Sequence, residues 1–86
     1  MQCYRVRVKE APPLVGFSAD GRRRAVFPGE YAVHLMRRPT ARGVGAALRF
    51  VGADPRGGDL HVPQDALRDW PRLPPGAPLE IIDPDA

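Results

Sequence analysis

Cys3, His34 and His61 are the only thiol and imidazole groups in the chain, and so the only thiolate and nitrogen ligands its side chains can offer a zinc ion. A zinc site needs three or four such ligands at short, paired spacings, and these three are single and widely separated. The two histidines would meet only if their strands came together; otherwise both are solvated imidazoles. Nucleophilic chemistry is no better provided for. Ser18 and Thr40 lie in segments that read as loops, and neither sits in the Gly-x-Ser-x-Gly elbow that exposes a catalytic hydroxyl. Arg5 stands close enough to Cys3 to favour its thiolate, yet a thiol this near the terminus reads as core filler or an inert surface group. Gly43-Val44-Gly45 imitates the start of a dinucleotide-binding fingerprint but lacks the third glycine and opens a strand, where the phosphate-binding mechanism needs a helix N-terminus. General acid-base catalysis needs paired groups whose surroundings drive their pKa values apart, and no such pair can be placed. The expectation is therefore a protein that is not an enzyme, with no catalytic residue, no metal and no cofactor.

Binding chemistry is better represented. Arg5, Arg7 and Lys9 alternate along one segment, Arg49 can share their face, and Arg22, Arg23 and Arg24 form a basic run. A stripe of this kind is enough to contact phosphates, each contact releasing counterions. No Tyr or Phe is evident between the arginines to add base stacking, and a charged sheet face that discourages aggregation fits the same residues. The charge is also unevenly written: residues 1–53 carry ten Lys or Arg against three acids, and residues 54–86 carry three against seven. Twelve arginines to one lysine is, however, what a GC-rich coding sequence produces, and folding can interleave the two parts. Trp70 is the remaining candidate. It reads as a lid over the end of a small core, and if exposed it would be an interface anchor.

The elements that must position these groups are short, because eleven prolines and nine glycines punctuate 86 residues. Cys3 to Lys9 alternates Tyr4, Val6 and Val8 with Arg5, Arg7 and Lys9, the pattern of a half-buried strand that Pro12 and Pro13 end. Residues 14 to 27 read as a long irregular hairpin around Asp20-Gly21, with Arg22 to Arg24 near its solvated tip. Pro28-Gly29 turns the chain into a strand from Glu30 to Arg37 with Tyr31, Val33 and Leu35 inward. Pro39 to Gly45 reads as a mobile loop. Ala46 to Val51 and Leu60 to Val62 form a hairpin about Asp54 to Gly58. Pro63 to Trp70 reads as a short helical piece, partly 3-10, ending at Pro71. Leu79 to Ile82 is a last strand, and Asp83 to Ala86 a frayed tail.

This order of elements resembles the SH3-like small β-barrel, with Asp59-Leu60-His61-Val62-Pro63 and the turn at Gln64 to Leu67 standing where such domains pass from the fourth strand to the fifth through a 3-10 turn. The resemblance implies an all-β domain of five strands spanning residues 1–86. It does not carry over the proline-peptide groove, because Arg22 to Arg24 stand where an acidic-aromatic run would be. A fainter likeness, of the arginine pairs and Asp54 to Gly58 to the cyclic-dinucleotide-binding PilZ barrels, lacks both the spacing and the serine.

Such barrels host many functions. The expectation here is a binding module that engages another protein chain or itself, since Leu79 to Ile82 is apolar at three of four positions and an open apolar edge invites a partner. RNA or DNA binding through the arginines is the alternative. The longest apolar run is far short of the ~20 residues that cross a bilayer, so no membrane is expected, and a single cysteine with no leader ahead of it points to the cytoplasm.

Overall fold

Alternating apolar and polar residues build the sheet, and turn chemistry cuts it into strands. The computed structural model describes residues 2–40, 43–67 and 69–83. Seven strands form one antiparallel sheet: β1 (Gln2–Val8), β2 (Val15–Phe17), β3 (Arg23–Ala25), β4 (Gly29–Thr40), β5 (Gly43–Phe50), β6 (Leu60–Pro63) and β7 (Leu79–Asp83). Their spatial order is β3-β2-β6-β5-β4-β1-β7. The all-β expectation holds. Five strands in a closed barrel do not: β2 and β3, read as one irregular hairpin, are strands of the sheet, because Phe17 pairs with His61 and ties the hairpin to β6. β3 and β7 are the two ends of the strand order, so the sheet is open.

One face of the sheet is lined by Tyr4, Val6 and Val8 from β1, Val33 from β4, Leu48 and Phe50 from β5, Leu60 and Val62 from β6, and Leu79 from β7, all buried. Tyr31, Leu35, Leu73 and Ile81 pack against this cluster from its margin. The segment after β6 covers the same core. Among the described residues only Gln64–Ala66 is helical, as a 3-10 turn, where the sequence predicts a longer piece reaching Trp70; Leu67 leaves the helical region at φ −114° and ψ 89°, and Asp69 takes a φ of +63°, so the turn does not extend. Leu67 and Trp70 still turn inward, and Trp70 packs edge-on against Tyr4 with ring centroids 5.0 Å apart.

Turn glycines set the ends of two hairpins. Gly21, at a φ of +82°, closes the β2–β3 turn, where Ser18 N–H donates to Arg22 O and Gly21 N–H to Ser18 O. Gly57 and Gly58, at +87° and +99°, close the β5–β6 turn. Pro39 to Gly45, expected as a loop, is largely paired: β4 runs to Thr40 and β5 starts at Gly43, with Pro39 opposite Val44. The reason lies in the neighbours. Among the described residues β1 pairs with β4 as far as Gln2 opposite Leu35 and β6 with β5 as far as Pro63 opposite Ala47, so beyond Met36 the β4–β5 ribbon has no described third strand beside it and a proline without an N–H is tolerated. Residue 83, expected in a frayed tail, closes β7 opposite Arg5; the remainder of that expected tail, 84–86, lies outside the described residues.

Gly16 lies close against β6, since a Cβ there would stand 3.2 Å from His61 O and 3.3 Å from Leu60 Cβ. Two substitutions test this packing. Phe50→Ala, which empties the centre of the core, should cost about 3–5 kcal/mol in urea unfolding with an unchanged m-value. Gly16→Val should cost about 1–3 kcal/mol by overpacking; wild-type stability in that variant would mean β2 does not lie against β6 as described.

Candidate functional site

Cross-strand register assembles the outer face of the sheet. Cys3 stands opposite His34, His34 opposite Arg49, Arg49 opposite His61, His61 opposite Phe17, and Phe17 opposite Arg23. One lateral row thus crosses six strands. The two histidines do not meet; β5 lies between them, placing them two strand spacings, roughly 9–10 Å, apart. No group of three His, Cys, Asp or Glu side chains able to hold a metal ion occurs among the described residues. Arg49 fills the gap instead. Its Nη2 lies 2.7 Å from His34 Nδ1, and because a guanidinium only donates, that nitrogen accepts and the neutral ring carries its proton on Nε2. Arg49 Nε lies 3.6 Å from Asp59 Oδ2, and Asp59 also accepts from the Gly52 N–H at 2.9 Å.

Arg5 and Arg7 share this outer face with Arg49, as their spacing suggested, but they are not a free cationic stripe. Arg7 donates to Glu80 at 2.8 Å and to Glu30 at 3.4 Å, and Arg5 lies 3.8 Å from Glu30. The hydrogen bond to Glu80, then that to Glu30, holds the Arg7 pKa above its ordinary value. Lys9 lies beyond the end of β1 and donates from Nζ to Pro75 O at 3.2 Å. Of the three arginines expected at a solvated hairpin tip, Arg22 and Arg23 are exposed. Arg24 is not: it turns toward the inner side, partly buried, with Nε 3.9 Å from Asp54. Trp70, only 9% exposed, is the core lid, its Nε1–H buried with no acceptor among the described residues.

Pairs from opposite parts of the sequence account for the neutralisation. Arg7 with Glu80, Arg24 with Asp54 and Arg49 with Asp59 each join the basic first part to the acidic second part. The first and last of these pairs offset the asymmetry on the outer face, and Arg24 with Asp54 does so on the inner side.

A second site emerges at the edge of the sheet, where β7 pairs with β1 on one side only. Lys9 N–H donates to Pro78 O at 2.8 Å, which places the two at a hydrogen-bonding position of the ladder although Pro78 has no N–H to return the bond. Antiparallel alternation then turns the main-chain groups of Glu80 toward β1 and those of Leu79 and Ile81 outward. Beside this edge runs a cleft of about 400 Å³ lined by Lys9, Pro71, Arg72, Leu73, Pro74, Pro75, Leu79, Glu80 and Ile81. Sequence reasoning found the apolar strand but not the wall opposite it, because nothing in residues 71 to 75 shows where a proline-rich connection will lie. Ile82 is the extra residue of a bulge, since Ile81 pairs with Val6 and Asp83 with Arg5, and it is 41% exposed.

The β2–β3 turn carries a titration test. The Ser18 hydroxyl donates to Asp20 Oδ1 and the Arg22 N–H to the same oxygen, which together hold the Asp20 pKa below the ordinary aspartate value. A depressed folded pKa gives stability that is complete above the unfolded pKa and lost as pH falls through the folded one. Melting temperature followed below pH 5 should therefore fall more steeply for the wild type than for Asp20→Asn; parallel curves would show that the turn gains nothing from the carboxylate.

No family profile matches the chain, and no curated protein or solved structure matches it either, so the SH3-like resemblance stands on element order alone.

Proposed function

We propose that this chain is a non-enzymatic interaction module that binds another protein by accepting an extended segment at the free edge of β7. The observation that carries the reading is the pairing of β7 on one side only, with the Leu79 and Ile81 main-chain groups turned toward an open cleft. Strand addition supplies affinity through main-chain hydrogen bonds and specificity through alternate side chains. The opposite edge is poorer for this purpose, because β3 is three residues long and two of them are arginines. The bulge at Ile82 twists the far end of β7 and keeps the straight edge short, with the exposed Ile82 side chain standing beside it, which supports a short docked segment over open-ended aggregation. A single half-buried thiol, with no second cysteine to bond, is in keeping with a cytoplasmic setting. No described helix is long and apolar enough to cross a membrane.

Ile82→Lys tests the edge. A lysine on an exposed edge position blocks strand addition and should change folding stability by less than about 0.5 kcal/mol. Partners co-purified from the native host with the wild type should be lost with this variant. Light scattering over a concentration series separates the occupants: a dimer that Ile82→Lys dissolves makes the partner a second copy, and a monomer at high concentration removes self-association. Full retention of the same partner by Ile82→Lys overturns the reading.

Nucleic acid binding has one observation in its favour. Phe17, 37% exposed, stands in the same lateral row as His61 and Arg49, so an aromatic does share the outer face with basic groups. The paired carboxylates weigh against it. If this face binds single strands, affinity for an oligonucleotide falls steeply with salt and Arg5→Glu with Arg7→Glu abolishes it; no binding at low salt ends that reading.

A further inference from the structure

The β7 cleft carries two cationic side chains, Lys9 and Arg72, on its walls. Arg72 is exposed and, among the described residues, has no carboxylate beside it. Lys9 donates to a carbonyl, Pro75 O, and among the described residues has no carboxylate within 4.0 Å, which leaves its ammonium two further donors. The one acid that lines the cleft, Glu80, is already bonded to Arg7 at 2.8 Å. Elsewhere Arg5, Arg7, Arg22, Arg24 and Arg49 each have a carboxylate within 4.0 Å. Arg23, Arg37 and Arg56 likewise have no carboxylate within 4.0 Å among the described residues, but they do not line this cleft; here unmatched positive charge sits against an apolar strip made by Leu73, Leu79 and Ile81.

We infer that the segment docking on β7 is an extended peptide whose aliphatic side chains lie against Leu73 and Ile81 and whose carboxylate meets Arg72 and Lys9. This rests on the reading of β7 as a docking edge and adds to it the chemistry of the partner. The register gives the carboxylate a place. Lys9 stands opposite Pro78, at the start of β7, so the acidic group belongs at the Leu79 end of the docked strand and the aliphatic residues beside Ile81. Main-chain pairing provides the direction-independent part of the affinity, and the two cations select among strands.

Fluorescence anisotropy with three labelled, C-terminally amidated peptides tests it, each a run of four valines flanked at both ends by two aspartates, two asparagines or two lysines. The aspartate peptide should bind the wild-type chain most tightly, with affinity declining as salt rises. Arg72→Glu should weaken that peptide on the order of fivefold or more and reverse the preference toward the lysine peptide. That exchange of preference is a result a misfolded variant would not give. A semisynthetic chain with N-methyl-Ile81 removes an outward main-chain donor while keeping the β1 ladder and the side chain, and should lose all three peptides. Equal binding of the aspartate and asparagine peptides, with loss on N-methylation, overturns the inference about charge and leaves the docking edge standing. Peptide binding indifferent to N-methylation overturns the docking edge itself, and no binding by any peptide overturns the inference.

Discussion

Phe50 holds the sheet together by belonging to three strands at once. It stands on β5 opposite Val33 of β4 and Leu60 of β6, all three fully buried, and Tyr31 meets it edge-on with ring centroids 6.1 Å apart. A ring of this size removes enough apolar area from water to be worth about 2–3 kcal/mol on transfer alone. Its position also fixes register, because a slip of one residue on β5 would exchange Phe50 and Leu48 for Arg49 and Ala47 on the core side. Everything on the outer face inherits that register. The His34–Arg49–Asp59 contacts exist because Phe50 can point only inward.

Charge follows from the same constraint. With the apolar residues of β1, β4 and β5 committed to one face, their alternating partners must share the other, and Arg5, Arg7, Glu30 and Arg49 are thereby brought together. The acids that complete the pairing, Glu80 and Asp59, come from the later part of the chain because β7 and the β5–β6 turn return to lie beside β1 and Arg49. Each such exposed pair is worth little to stability. Their consequence is electrostatic: Arg5, Arg7 and Arg49, which look like a basic stripe along the sequence, each stand beside a carboxylate, whereas among the described residues Arg72 and Lys9 at the β7 cleft do not.

Local chemistry was legible in the sequence, and neighbours were not. Asp20-Gly21 and Asp54 to Gly58 announce their turns because positive φ angles require glycine, and the alternation of Tyr4, Val6 and Val8 announces a strand with its buried side. The strand pairing of Pro39 escaped because the rule against proline in strands depends on whether a third strand lies alongside, which is a fact of topology. Phe17 in the row of His61 and Arg49 escaped for the same reason: nothing local says that β2 will lie against β6. Arg24 was placed in solvent with its two neighbours, although alternation with Arg23 already assigns it to the other side of the hairpin, the side on which Asp54 waits.

The two ends of the sheet differ in what they leave open to an added strand, the difference on which the proposed docking rests. β3 is protected by being short and by arginines at two of three positions, so adding a strand there would crowd charge and gain few hydrogen bonds. β7 is held differently. Leu79, 1% exposed, and Ile81, at the core margin, anchor it from the inner side, and Glu80 anchors it from the outer side through Arg7. Those anchors use side chains and one set of main-chain groups, leaving the outward groups of Leu79 and Ile81 without strand partners while the strand itself stays in place. An edge that is rigid before it binds loses less entropy on accepting a segment. The bulge at Ile82 and the proline-rich wall from Pro71 to Pro75 then limit what can enter to a short stretch. Stability of the core and availability of the edge are in this way compatible, because the contacts that fix β7 lie on its faces and the contacts it can still make lie in its plane.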